Sequence, residues 1–311
     1  MSTAYFSHPD CQRHSMGAEH PECPQRLAAI EDWLIAHAMD AALQRIDAPL
    51  AEMAALERAH TARHVIETVT LLQALEASGG TAQFDPDTSA NAHTLQAALR
   101  AAGAAVAATD AVLAGRADNA FCAVRPPGHH ATRDAAMGFC FFNNVAVAAR
   151  HALDVHGLRR VAIVDFDVHH GNGTEDIVAG DERVLMVSLF QQGLYPFSGD
   201  EPRGTNMLNV GVPAYTRGPE IREIVDGLWL PALERFKPEM IFVSAGFDAH
   251  REDELGQLGL VEADYEWLTL QLKAVAARHC KGRIVSCLEG GYNLGALARS
   301  VGAHLRVLAG I

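Results

Sequence analysis

The chain has 311 residues, 49% hydrophobic and 20% charged, so it can bury a large core; disorder and small disulfide-stapled scaffolds are excluded. Its formal charge of −13 is the wrong sign for a protein that neutralises phosphates, and no uninterrupted apolar stretch could span a bilayer. Composition therefore predicts neither nucleic acid nor membrane as a partner.

In chain order, the opening MSTAYFSHPDCQRH lacks a basic start followed by an apolar run, so no secretory signal is expected. Helical periodicity predicts helices over 24–38 and 61–78, and the Ala-rich stretch 92–115 suits a helix packed on a sheet. A strand is expected at Ala120–Val124, then a helix over 143–156. Val161–Phe166 and Val184–Leu189 read as strands, followed by a helix over 218–236. Met240–Ser244 predicts a strand, 262–279 a helix, Ile284–Leu288 a strand and 293–309 a final helix. These short runs, β-branched and bounded by turn residues, suit strands buried on both faces. The alternation predicts an α/β fold: one domain with a central parallel sheet and helices on both faces. No repeat or low-complexity linker divides the chain.

Six cysteines are present, none in a CxxC pair, and buried free thiols in a reducing cytosol are expected; the predicted location is cytoplasmic. Histidine is the unusual count: there are 16, and six fall between positions 129 and 170.

Four apolar runs lead into polar motifs. Val124 precedes RPPGHHA, Phe166 sits inside DFDVHHGNGT, Ser244 leads into AGFDAH, and Leu288 leads into EGGYN. Ligands of open α/β sheets bind outside the carboxyl ends of the strands, so these motifs are expected to converge on one site. In an extended strand Asp165, Asp167 and His169 would share one side. An imidazole with one or two carboxylates suits zinc or iron(II), and Asp248 is the best-placed further ligand. Such a set leaves a coordination position open, as catalysis requires. His129 and His130 follow a Pro-Pro-Gly turn that can bring both into one cleft, where a near-neutral pKa suits proton transfer. Tyr292, after two glycines, can donate to an oxyanion. No nucleotide-binding glycine motif and no serine-hydrolase elbow is present.

Together these motifs resemble the histone deacetylase superfamily, and within it the class II-like branch of bacterial histone deacetylase-like amidohydrolases. The resemblance opens at His20-Pro21-Glu22-Cys23-Pro24-Gln25-Arg26 and continues through RPPGHHA, GFCFFNN (138–144), DFDVHHGNGT, SAGFDAH and EGGYN. It implies an arginase-like α/β fold, with residues 1–311 forming one catalytic domain. It implies zinc held by Asp167, His169 and Asp248, with His130 as the base that activates the attacking water. His129 would be its electrostatic partner and Tyr292 the group that polarises the scissile carbonyl. Asp165 would support His129 and help to hold a structural potassium ion, with the Ser188 hydroxyl and the carbonyls of Asp167, His169 and Leu189. Asn172, an aspartate in class I relatives, would leave His130 less basic. Gly138, Phe139, Tyr195 and Leu255 match positions along a narrow channel for the acyl-lysine stem. Phe190 stands where many relatives carry histidine.

The resemblance implies an amidohydrolase that removes acetyl or related acyl groups from an acetyl-lysine peptide or protein. Three rivals stand beside it. One keeps the chemistry but acts on acetylpolyamines or other small acylated amines. Another is an arginase-like binuclear manganese hydrolase, to which Glu289 would contribute. The third is a silent acyl-lysine-binding homologue. The polar loops at 79–91 and 198–206 are expected to rim the site, setting substrate choice or a dimer contact.

Overall fold

The computed structural model describes residues 2–311. The amino-terminal part runs β1 (Thr3–Ser7), α1 (Gln25–Ala36), β2 (Leu43–Asp47), α2 (Met53–Leu56) and α3 (Ala62–Ser78). A two-residue hairpin follows, β3 (Ala82–Gln83) with β4 (Ser89–Ala90), and then α4 (Thr94–Leu113). The middle contains β5 (Asn119–Cys122), α5 (Asn144–Asp154), β6 (Val161–Asp165), α6 (Asn172–Val178), β7 (Val184–Gln191) and β8 (Met207–Val212). The carboxyl-terminal part runs α7 (Gly218–Ile224), α8 (Leu230–Phe236), β9 (Met240–Ala245), α9 (Glu262–His279), β10 (Ile284–Leu288) and α10 (Leu294–Ala309).

Eight strands form one parallel sheet in the order β2-β1-β5-β10-β9-β6-β7-β8, as the α/β reading requires. The five expected strands are all present and all buried through their length, apart from Leu185 of β7. Four of them, β5, β10, β9 and β6, are adjacent at the centre of the sheet. They are the strands that lead into the four polar motifs. Because every pair is parallel, all four carboxyl ends emerge on the same edge, which brings the motifs together.

Three strands of this sheet escape sequence patterning. The edge strand β2 is LQRID with only Leu43 buried, and the opposite edge strand β8 is half-buried through its middle. An edge strand has one side free and needs no continuous apolar run. The buried β1, TAYFS, is short and carries a threonine whose hydroxyl bonds Asn119 at 2.8 Å. The short α6 opens on Asn172-Gly173, which reads as a turn rather than a helix.

The single helix expected over 218–236 is instead α7 and α8 joined by a π-turn at Val225–Trp229. Pro231 lacks the amide proton that a regular ladder requires, and the extra residue in the turn absorbs the mismatch. The motifs also cap the helices that follow them. Asn143 accepts from Ala146 N at 3.0 Å to start α5, and Asn293 accepts from Ala296 N at 3.0 Å to start α10. No helix among the described residues is long and apolar enough to cross a membrane. All six cysteines are free thiols, five of them buried.

Candidate active site

The strand β6 ends at Asp165, so Asp167 and His169 lie in the loop beyond it rather than alternating along a strand. Their side chains are nevertheless aligned, by backbone amides instead of by the pleat. Asp165 Oδ1 accepts from Asp167 N at 3.1 Å, and Asp167 Oδ1 accepts from His169 N at 2.9 Å. Asp248, in the turn after β9, is fixed by Val168 N at 2.9 Å, and the second oxygen of Asp167 by Gly290 N at 2.8 Å. Gly290 is required here, because a Cβ would enter the space of both carboxylates.

Asp167, His169 and Asp248 form a buried group whose ligand atoms lie within 4.8 Å of one another. His169 Nδ1 is 3.0 Å from Asp167 Oδ1 and 3.2 Å from Asp248 Oδ2. Burial and the neighbouring Asp167 push the Asp248 carboxyl up to about 7. Burial disfavours charge on His169 too, but the two carboxylates override it and hold the imidazole up at about 10. Two buried carboxylates meeting one imidazole call for positive charge at their centre, and the donor set fits a divalent cation. Glu289 is not in this group. Its Oε2 accepts from Gly128 N at 2.7 Å and His129 N at 3.1 Å, and its Oε1 from the Ser244 hydroxyl at 3.1 Å.

The two loop histidines are both buried and lie ring to ring at 4.0 Å. Asp165 Oδ2 is 3.0 Å from His129 Nδ1. Burial opposes the imidazolium of His129, but Asp167 and Asp165 outweigh it and hold its pKa well above the usual value. His130 is driven the other way, by burial and by the positive His129 and His169. Asn172 Oδ1 lies 2.8 Å from His130 Nδ1 and accepts its proton, which leaves Nε2 with a free lone pair. The surroundings therefore favour the charged form of one histidine and the neutral form of its neighbour. Gly138 backs this base at φ +56°, where an added Cβ would lie 2.6 Å from the His130 ring.

A cavity of about 410 Å³ opens onto the cluster, lined by His130, His169, Tyr292, Phe139, Tyr195 and Leu255, with Gly138 among its walls. Burial keeps the Tyr292 phenol well above its usual pKa, so it remains a donor. Its ring lies under the Arg26 guanidinium at 4.9 Å, and its amide donates to Asp253 Oδ2 at 2.7 Å. Two of the residues expected to hold potassium are neighbours. Asp165 pairs with Ser188 in register, and the buried Ser188 hydroxyl has no protein partner. An orphaned hydroxyl beside a carboxylate fits a monovalent cation.

Several contributors had no individual role assigned from the sequence. His20, Pro21, Asp87 and Leu194 also line the cavity. The 79–91 loop rims the site through Asp87, and Asp85 Oδ2 accepts from Gly138 N at 3.0 Å. The 198–206 loop contributes nothing to the lining. It packs beside it instead, with Ser198 Oγ 2.9 Å from His170 Nδ1 and Arg203 N donating to Glu175. Phe190 lies against that same His170 ring at 4.8 Å. Behind Tyr292, Arg26 donates to the carbonyls of Gly291 and Glu289, while Glu22 binds Arg125 and Arg26. Burial pushes the Glu22 carboxyl up, but Arg125, His14 and Arg26 reverse this and hold it down at about 2. The HPExPxR segment thus braces the EGGY turn, a role its spacing does not reveal.

The family profile described as "Histone deacetylase domain" matches residues 20–308. The chain is 41% identical over 283 residues to the "Histone deacetylase-like amidohydrolase" of Pseudomonas aeruginosa, 89% of this chain and 72% of that protein. It is 35% identical over 323 residues to the "Probable deacetylase" of Archaeoglobus fulgidus, 99% of this chain and 89% of that one. It is also 43% identical over 244 residues to the "Type-2 histone deacetylase 2" of Dictyostelium discoideum, 71% of this chain but 14% of that longer protein. The fold matches the solved structure described as "Crystal Structure of HDA15 HD domain" with a TM-score of 0.92 at 34% identity, covering 99% and 88% of the two chains. The chain belongs to the histone deacetylase family.

Proposed function

We propose that this chain is a metal-dependent amidohydrolase that removes an acetyl or related acyl group from an acylated amine, with acyl-lysine as the substrate class. The observation that carries this reading is the presence of His130, His169 and Tyr292 together in the lining of one largely apolar cavity. Asp167, His169 and Asp248 would hold the cation, and zinc suits one imidazole and two carboxylates with a position left open. When bound, it supplies Lewis acidity toward a carbonyl and the attacking water.

The remaining work falls to the chain's own groups. His130 takes the proton of the attacking water on Nε2, the nitrogen that Asn172 leaves unprotonated. His129, kept charged by Asp165, is the proton source for the departing amine. Tyr292 donates to the oxyanion that develops on the substrate carbonyl. Phe139 and Tyr195 exclude water from the aliphatic stem. The orphaned Ser188 hydroxyl supports a potassium ion held with Asp165 and the carbonyls of Asp167, His169 and Leu189.

Asp87 in the lining gives a second reading some weight, since its carboxylate can meet a second ammonium on an acetylpolyamine. Zinc-loaded protein, offered an acetyl-lysine peptide and an acetylated diamine together, separates the two when each product is quantified by mass spectrometry. Chelator-sensitive turnover of the peptide ahead of the diamine is expected. Preference for the diamine would move the substrate to small acylated amines. Turnover of neither, across acyl lengths and metals, would leave a silent binding homologue.

A further inference from the structure

Of the six histidines between positions 129 and 170, four lie in the active-site motifs. His151 and His156 do not, and they belong to a different place in the fold. We infer that Asp110, His151 and His156 form a second divalent-cation site, of the zinc class, on the outer helical layer.

Asp110 lies in α4, which packs against α5. His151 is in the last turn of α5, and His156 follows two residues after the helix ends at Asp154. A spacing of five would turn His156 away on a continuing helix. Here the chain leaves the helix at Val155, and Gly157 at φ +69° completes the turn, so His156 comes back over His151. The two rings lie 5.1 Å apart at 78°, and both direct Nε2 at one carboxylate oxygen. His151 Nε2 is 2.7 Å and His156 Nε2 is 2.6 Å from Asp110 Oδ1. The three ligand atoms lie within 4.8 Å of one another, as those of the active-site cluster also do.

His151 is 8% exposed, and its buried Nδ1 has no partner, so Nε2 is the ring's one polar tether, and it faces the cluster. Two imidazoles and a carboxylate suit zinc and its first-row neighbours better than calcium or magnesium, which prefer oxygen. Coordination takes the lone pair of each Nε2, so both rings carry their proton on Nδ1 when the cation is bound. Asp110 and His151 also line a surface cavity of about 410 Å³ with Leu50, Glu52, Arg58 and Val155, which gives the cation a way in. The partial exposure of Asp110 and His156 makes this an exchangeable site rather than a sealed one. A bound ion there would clip the end of α5 to α4.

The test is zinc uptake at micromolar free metal, measured by equilibrium dialysis and elemental analysis on the full chain. Wild type is expected to take up one equivalent more than His156→Gln, an exposed substitution that leaves the core intact. Asp110→Asn gives the same loss by a different ligand, and Asp248→Asn loses the other equivalent instead. The affinity at the outer site should fall by more than the roughly 10–100-fold typical of losing an outer hydrogen-bond partner of a metal ligand. Added zinc should raise the melting temperature of wild type above that of His156→Gln. Equal uptake by wild type, His156→Gln and Asp110→Asn would overturn the site, and failure of the deacylase assay would leave it untouched.

Discussion

Two groups of histidine and aspartate stand in this molecule, each with its ligand atoms within 4.8 Å of one another, one at the strand ends and one at the helix ends. They differ in what holds the carboxylates. Asp167 and Asp248 are fully buried and pinned by backbone amides from Gly290, His169 and Val168. Asp110 receives no backbone amide among the described residues, and the two imidazoles alone orient it. They differ also in company. His169 of the inner group shares a cavity with His130 and the Tyr292 phenol, and the His129 ring stands 4.0 Å from His130, whereas the outer group has no such neighbours. The same ligand types thus support chemistry in one place and only binding in the other, and preorganised surroundings make the difference.

The sharpest way to break this comparison is to disable each group in turn and follow deacylation. Chelation, which removes the cation, or Asp248→Asn, which removes one of its two carboxylate ligands, is expected to reduce turnover to background. His130→Ala comes next. Loss of a positioned base should lower kcat by about 10²–10⁴-fold with the metal content unchanged. Unchanged turnover in this variant would remove His130 from the proposed mechanism. Tyr292→Phe keeps the ring under Arg26 but deletes the donor, and a fall in kcat of about 10²–10³-fold is expected with KM little altered.

The inner group was legible because its chemistry sits at the ends of four apolar strands, where residue type and position both carry signal. Asp167, His169, Asp248, the histidine pair and Tyr292 all follow runs that are buried on both faces. What supports them was not legible. Arg26 and Glu22 act across the molecule, through carbonyls more than 260 residues away in the case of Arg26, and no local pattern encodes that pairing. Asp253 holds the Tyr292 amide from a polar loop that reads as surface. The strand assumed through His169 was wrong in detail, since amide hydrogen bonds replace the pleat as the aligning device. The outer group left one trace, a histidine excess that the motifs did not absorb, but Asp110 stands 41 residues from His151 and only the packing of α4 on α5 joins them.

A finer comparison concerns the neutral base itself. Burial and the positive His129 and His169 keep the His130 pKa below the usual histidine range, and Asn172 adds no charge. A depressed pKa keeps His130 unprotonated through neutral pH, so the acidic limb of kcat/KM should lie below that range. Asn172→Asp places an anion 2.8 Å from Nδ1 and favours the imidazolium. The acidic limb is then expected to move to higher pH by about one pH unit or more. A profile that moved to lower pH, or stayed in place, would show that His130 does not set it.

The smallest effect belongs to the outer group. His156→Gln removes one hydrogen bond from a partly exposed pair, an interaction contributing about 0–1 kcal/mol to stability in the absence of metal. Deacylation should be unchanged, because none of Asp110, His151 and His156 lines the active-site cavity. The variant therefore separates binding from catalysis: it loses an equivalent of zinc and keeps its turnover, while Asp248→Asn loses an equivalent and its turnover together. If His156→Gln instead lowered kcat, the two groups would be coupled through α5, whose first turn is capped by Asn143 and carries Asn144 bonded to the Pro126 carbonyl before the histidine pair. That outcome would make the outer cation a regulator of the inner site, whereas unchanged turnover leaves it as a clip on the helical layer.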